Sequence, residues 1–240
     1  MKKHIPNTIT CCNLISGCIA TLFASQANYS MALAFIIIGA VFDFFDGFAA
    51  RLLHVSSPVG KELDSLADDI TFGFAPATIV FSMLRATLPT CGCTWITYVP
   101  YAAFIIAAFS ALRLAKFNLD ERQTTSFIGL PTPANALFWG ALSMTLDSYG
   151  ALTATNTTLF AALLVGIALS SWLLVAEIPM FALKFKSYGW KGNELRFSFI
   201  IISALLLAVL KWGGFSLIIV LYILTSIISN AFGTKVAKDK

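Results

Sequence analysis

Long apolar stretches broken by short polar segments run the length of the chain. Eight of them approach the roughly 17–25 residues that a helix needs to cross a bilayer. They lie near 9–26, 31–52, 63–84, 97–117, 132–147, 157–181, 197–211 and 214–233. Runs such as Ile200–Leu210 do not alternate in polarity, which argues against the strands of a transmembrane barrel. A helix satisfies its own backbone polar groups in lipid. The pattern therefore predicts an all-α, polytopic transmembrane helix bundle of eight helices, in a single membrane domain covering 1–240. The last two stretches also read as one broken element. No internal repeat, low-complexity tract or linker divides the chain, and the longest loops fall near 116–131 and 182–196. Within the first loop, Gly129-Leu130-Pro131-Thr132-Pro133 marks a helix boundary, because proline disfavours helix at the residue before it.

Composition agrees with a lipid solvent. Of 240 residues, 58% are hydrophobic and 12% are charged, about half the charge of an ordinary soluble domain. All Lys and Arg except Arg85, Lys211 and Arg113 fall on the side that carries the N-terminus, and Arg113 lies near that same face. This positive-inside asymmetry predicts an even helix count and both termini cytoplasmic. The net charge of +4 then reflects topology and contact with anionic headgroups, not nucleic-acid binding, since no loop is long enough for a basic module. Lys2 and Lys3 ahead of an apolar stretch resemble a signal peptide, but Asn7, Thr10 and Asn13 interrupt the apolar core, so the first helix is expected to be retained. No organelle-targeting extension is present, which points to a prokaryotic inner membrane. The cysteines receive no function. Cys11, Cys12 and Cys18 read as small buried hydrophobes, and a Cys91–Cys93 bridge would be strained. His4 and His54 stand alone, without metal-ligand spacing.

The chemistry concentrates between Asp43 and Asp68. Asp43, Asp46, Gly47 and Ala50 stand at i, i+3, i+4 and i+7, one face of a helix that ends near Arg51. After a short turn, Gly60, Asp64 and Asp68 repeat the four-residue spacing, and Asp69 adds a fifth acid. Each ionisable group in a membrane helix costs about 2.5–3.5 kcal/mol at its centre. Arg51 and Lys61 neutralise two acids at most. Four converging carboxylates are accounted for if divalent cations neutralise them. With oxygen as the only donor type, a hard ion such as Mg²⁺ or Mn²⁺ is expected. Four carboxylates suit two such ions, which can clamp the entering and leaving oxygens of a phosphoryl transfer. Gly47 and Gly60 either admit a bulky ligand to the backbone or allow close helix packing.

The string Asp43-x2-Asp46-Gly47-x2-Ala50-Arg51-x8-Gly60-x3-Asp64-x3-Asp68 resembles the complete signature of the CDP-alcohol phosphotransferases. The resemblance implies a six-helix core, here about 1–182, with two further C-terminal helices near 197–233. It implies that Asp43, Asp46 and Asp64 coordinate two divalent ions holding the diphosphate of a CDP-linked donor. Asp68 would act as general base on the acceptor hydroxyl and touch a metal as well. Gly47, Ala50 and Gly60 would line the cytidine pocket, and Arg51 would contact phosphate. Pro6-Asn7-x2-Thr10-x2-Asn13 is similar to the start of the family's first helix, which puts Asn7 and Thr10 near the nucleotide; Asn and Thr at a helix start are also often caps. The family also implies a homodimer.

The signature does not choose the acceptor. Phe72-Gly73-Phe74-Ala75-Pro76-Ala77, Ala111 to Asn118 and Phe127 to Ala134 resemble the phosphatidylserine synthase branch, which implies CDP-diacylglycerol as donor and L-serine as acceptor. Arg113 or Lys116 would then pair with the serine carboxylate, and Asn118 would orient the amino acid; Lys116 also reads as a positive-inside anchor. Glycerol 3-phosphate or an inositol compound is the alternative acceptor, and a phosphorylated one calls for a denser basic pocket. An ion or metal transporter also accommodates buried acids, but it would spread polar breaks along a path through the bilayer. Here the acids gather at one end.

Overall fold

The computed structural model describes residues 4–55, 57–90, 93–120, 127–153, 155–180, 189 and 193–231. Its helices are α1 (His4–Ser25), α2 (Tyr29–Leu52), α3 (Pro58–Asp68), α4 (Ala75–Ala86), α5 (Ile105–Leu119), α6 (Thr132–Ser148), α7 (Thr157–Val175), α8 (Glu194–Leu210) and α9 (Gly214–Ala231). A π-helical turn, Asp69–Phe74, joins α3 to α4 without a break. A 3₁₀ stretch, Thr94–Phe104, runs straight into α5. The result is an all-α polytopic helical bundle. Five helical stretches are long and apolar enough to cross a membrane: His4–Ser25, Tyr29–Leu52, Thr94–Leu119, Thr157–Val175 and Glu194–Asn230. At 17 residues, α6 lies at the short end of crossing length.

The eight sequence stretches map onto these elements with shifted ends. The first rod begins by His4 and the third by Pro58, earlier than the hydropathy suggested, because their polar first turns are still helical. Ser57 caps α3 by accepting from Gly60 N, and Pro58 occupies the first helical position, where its missing N–H costs nothing. The sixth stretch, expected to reach 181, stops at Val175. Ala176 turns extended, Pro179 follows, and Pro179–Met180 pairs antiparallel with Phe127–Ile128 in a two-residue clip. The last two stretches are separate helices. Lys211 takes φ 51° at the bend, and α8 and α9 fold back on one another. Cys11 and Cys18 face outward, contrary to the buried role expected of them, since α1 turns its small face, Ser16, Gly17, Ala20 and Ala24, inward. Cys91 lies outside the described residues.

The core is centred on α4, where Ala75, Pro76, Ala77, Thr78, Ile79, Val80, Met83 and Leu84 are all buried. Ala20, Ala24, Ile36, Trp139 and Ile167 join it from α1, α2, α6 and α7. Large apolar residues on the outside, such as Leu22, Phe44, Val165, Leu205 and Val209, suit a surface whose solvent is lipid. Two glycines fix the site's floor. A Cβ at Gly17 would stand 2.3 Å from Thr71 Oγ1, and one at Gly39 would stand 2.5 Å from Thr71 Cγ2. Thus α1, α2 and the π-helical turn meet at Thr71 at a distance only glycine permits.

Candidate active site

The two helices that carry the acid pairs are both packed against α1, which supplies their hydrogen-bond partners. Thr10 Oγ1 donates to Asp46 Oδ2 at 2.7 Å, and Asn13 Nδ2 donates to Asp68 Oδ1 at 3.0 Å. Thr71 Oγ1 in turn donates to the Asn13 carbonyl at 3.0 Å. A three-residue step along α1 therefore aligns Thr10 and Asn13 with one acid from each partner helix. Asn13 is fully buried, so its side chain is held rather than solvated.

Oxygen atoms of Asp43, Asp64 and Asp68 lie within 4.8 Å of one another. Asp64 Oδ1 is buried and has no hydrogen-bond partner within the protein. Three carboxylates at this spacing repel unless a cation or protons intervene. The nearby lysine does not neutralise them: Lys61 Nζ donates to Asn118 O at 2.9 Å. The all-oxygen donor set and the unpartnered Asp64 Oδ1 fit a hard divalent ion. Asp46, the fourth expected ligand, is not in the triad; it sits one turn along α2, held by Thr10.

Beside the triad opens a cleft of about 360 Å³, lined by Pro6, Asn7, Thr10, Asp46, Gly47, Ala50, Val55, Ser57, Gly60, Lys61 and Asp64. Five of the six residues expected to bind the donor are in that lining: Asn7, Thr10, Gly47, Ala50 and Gly60. Arg51 is exposed on the last turn of α2 and is not among them. A Cβ at Gly47 would meet nothing within 4 Å, whereas one at Gly60 would stand 3.1 Å from Asn7 Oδ1. Gly47 thus leaves open space on the cleft side, and Gly60 lets α3 approach α1.

The three residues expected near the acceptor are not brought together. Arg113 is buried, donates from Nη1 to Thr132 Oγ1 at 3.4 Å and lies over the Phe117 ring. Lys116 is exposed. Asn118 braces α5 against α3, donating from Nδ2 to Ser65 Oγ at 2.7 Å. Sequence reasoning gave Asn13 no contact with Asp68. The signal was there in the Pro6, Thr10, Asn13 stripe, which shares one helical face.

Comparison with known proteins follows the same outline. The sequence profile described as CDP-alcohol phosphatidyltransferase matches residues 3–183. The CDP-diacylglycerol–serine O-phosphatidyltransferase of Bacillus subtilis is 38% identical over 145 residues, 60% of this chain and 78% of that protein. The protein of the same name from Helicobacter pylori is 30% identical over 229 residues, 95% of this chain and 91% of its own length. A third, from Mycobacterium leprae, is 33% identical over 184 residues, 73% of this chain; the chain spans 57% of that longer relative. The profile match takes in the acid-bearing helices, the cleft and the helices that brace them. With the triad in place, the chain belongs to the CDP-alcohol phosphatidyltransferase family of membrane enzymes.

Proposed function

We propose that the chain transfers the phosphatidyl group from CDP-diacylglycerol to the hydroxyl of L-serine, releasing CMP. The observation that carries this reading is the convergence of Asp43, Asp64 and Asp68 at the edge of the glycine-walled cleft. The names of the relatives support serine as acceptor.

In this reading the cleft takes the CDP moiety of the donor, and the acyl chains stay in lipid. Asn7, Thr10, Gly47, Ala50 and Gly60 bound the nucleotide, with Arg51 reaching phosphate from the rim. Asp43, Asp46, Asp64 and Asp68 would hold two divalent cations, Mg²⁺ or Mn²⁺, which would supply positive charge to the diphosphate and the leaving oxygen. Asp68, fixed by Asn13, takes the proton of the serine hydroxyl. The serine oxygen forms a bond to the phosphorus that carries diacylglycerol, and the bond from that phosphorus to the CMP oxygen breaks in line. The protein's task is positioning and electrostatic stabilisation, as in phosphoryl transfer generally. The family core covers about 1–182 of one domain, with α8 and α9 added to it. The chain sits in a prokaryotic cytoplasmic membrane as a homodimer, acid end toward the cytoplasm.

The test is CMP release by detergent-purified protein given CDP-diacylglycerol, Mn²⁺ or Mg²⁺, and one acceptor at a time. Release with L-serine, lost on chelation and restored by the ion, is the expected result. Release only with glycerol 3-phosphate or an inositol compound would replace the acceptor and leave the chemistry.

A further inference from the structure

A second group of polar side chains lies on α5, α6 and the π-helical turn that follows Asp68. Ser110 and Arg113 stand one turn apart on α5, and Thr132 and Asn135 stand one turn apart on α6. Arg113 and Thr132 join the two pairs through their hydrogen bond. Asp69 and Ser110 meet at Gly73, where an added Cβ would stand 2.6 Å from Asp69 Oδ1 and 2.9 Å from Ser110 Cβ. Both α5 and α6 pack on the π-helical turn that carries Asp69 and Gly73.

Ser110 and Asn135 are fully buried, Thr132 is 1% exposed and Arg113 is 7% exposed. Buried atoms without a partner in the protein include Asp69 Oδ1, Ser110 Oγ, Arg113 Nε, and both Asn135 Oδ1 and Asn135 Nδ2. Leaving one such atom unpaired costs about 1–3 kcal/mol, and the large majority of buried polar groups are paired. Their gathering on three elements around one turn is not explained by helix packing, which small apolar residues would serve better. The set contains one acid, one guanidinium, one amide and two hydroxyls. That is the complement of a small molecule bearing one charge of each sign.

We propose that Asp69, Ser110, Arg113, Thr132 and Asn135 form the seat of a zwitterionic hydroxy-amino acid, the acceptor of the transfer. The proposal rests on reading the chain as a serine phosphatidyltransferase. Arg113 Nε and Asn135 Nδ2 receive the carboxylate, while Asp69 Oδ1 and Asn135 Oδ1 receive the ammonium. Asp69 follows Asp68 in the chain and opens the π-helical turn on which α5 and α6 pack. In this proposal the amino acid lies against the turn that continues directly from the base. An acceptor phosphate would bring two negative charges against Asp69 with one cation to meet them, so the same group rejects phosphorylated polyols. Lys116, exposed, and Asn118, committed to Ser65, lie outside the seat.

The experiment uses the full-length protein in detergent with CDP-diacylglycerol and Mn²⁺. Two inhibitors each lack one charge of serine: ethanolamine has no carboxylate, and 3-hydroxypropanoate has no ammonium. Asp69→Asn, close to isosteric, is expected to raise the KM for serine about tenfold or more while the donor KM stays within about twofold. It should weaken ethanolamine and spare 3-hydroxypropanoate. Arg113→Gln should do the reverse, and Asn135→Ala should weaken both inhibitors. If Asp69→Asn leaves the serine KM unchanged, or weakens both inhibitors and the donor alike, the seat is not there. Failure of the underlying reading shows separately, because the unsubstituted protein would then release CMP with another acceptor and not with serine.

Discussion

Asp68 and Asn13 form the pair on which single substitutions bear most directly. Asp68→Asn keeps the shape of the side chain and removes its capacity to take a proton. Turnover should vanish while donor affinity, read by equilibrium binding of CDP-diacylglycerol, stays within about threefold of wild type; normal turnover would strip Asp68 of its role. Asn13→Ala removes the 3.0 Å bond that orients Asp68. It should lower kcat by about 10–100-fold, the effect of misplacing a base, with little change in donor KM. A donor KM that rose in step with the fall in kcat would move Asn13 into the nucleotide site. At this scale the sequence was legible where chemistry imposes spacing: the acids, Gly47 and Gly60 declare themselves by period. Asn13 was half legible, visible as a polar residue on an apolar helix. Its partner depends on how α1 packs against α3, which no local spacing encodes. Asn135 was not legible, because a lone amide after a proline turn reads as a cap.

Among the helices, the junction of α1, α2 and the π-helical turn at Thr71 is the tightest contact near the site. Gly39→Ala places a methyl 2.5 Å from Thr71 Cγ2 and 2.9 Å from Asn13 Oδ1. Overpacking of this kind costs about 1–3 kcal/mol, so the melting temperature in detergent should fall and kcat should fall with it. Adding Thr71→Ser, which deletes the crowded methyl and keeps the hydroxyl that bonds Asn13 O, should recover part of both losses. Absence of recovery would mean that the strain enters elsewhere. Element types were readable from hydropathy because lipid leaves helices as the only option for spanning segments in a bundle. Element ends were not. α3 begins before its apolar run, where Ser57 and Pro58 form a cap, and α7 ends early, where Pro179 draws the chain into the clip with Phe127–Ile128. The π-helical turn had no hydropathic trace, since an added backbone residue leaves apolar composition unchanged.

For the whole molecule, the charge asymmetry of the sequence makes a prediction independent of catalysis. A fluorescent protein fused after residue 240 should fold and fluoresce, and alkaline phosphatase at the same place should be inactive. The opposite pattern would reverse the orientation of the bundle and put the acid end outside. Five helical stretches meet the length and apolarity needed to cross; the rod formed by α3, the turn and α4 is not among them, and it carries Lys61, Glu62, Asp64, Asp68, Asp69 and Arg85. That rod has a divided nature. Only Ala67 is buried in α3, whereas two-thirds of α4 is. The wide turn between them works as a phase shifter: a regular helix advances about 100° per residue, and one surplus residue resets the bearing of everything beyond it. Drift in the buried half, driven by the fit to neighbouring helices, is therefore not obliged to swing the acids off their mark. Shortening the turn by one residue would rotate one half against the other, so length here should be guarded more strictly than identity.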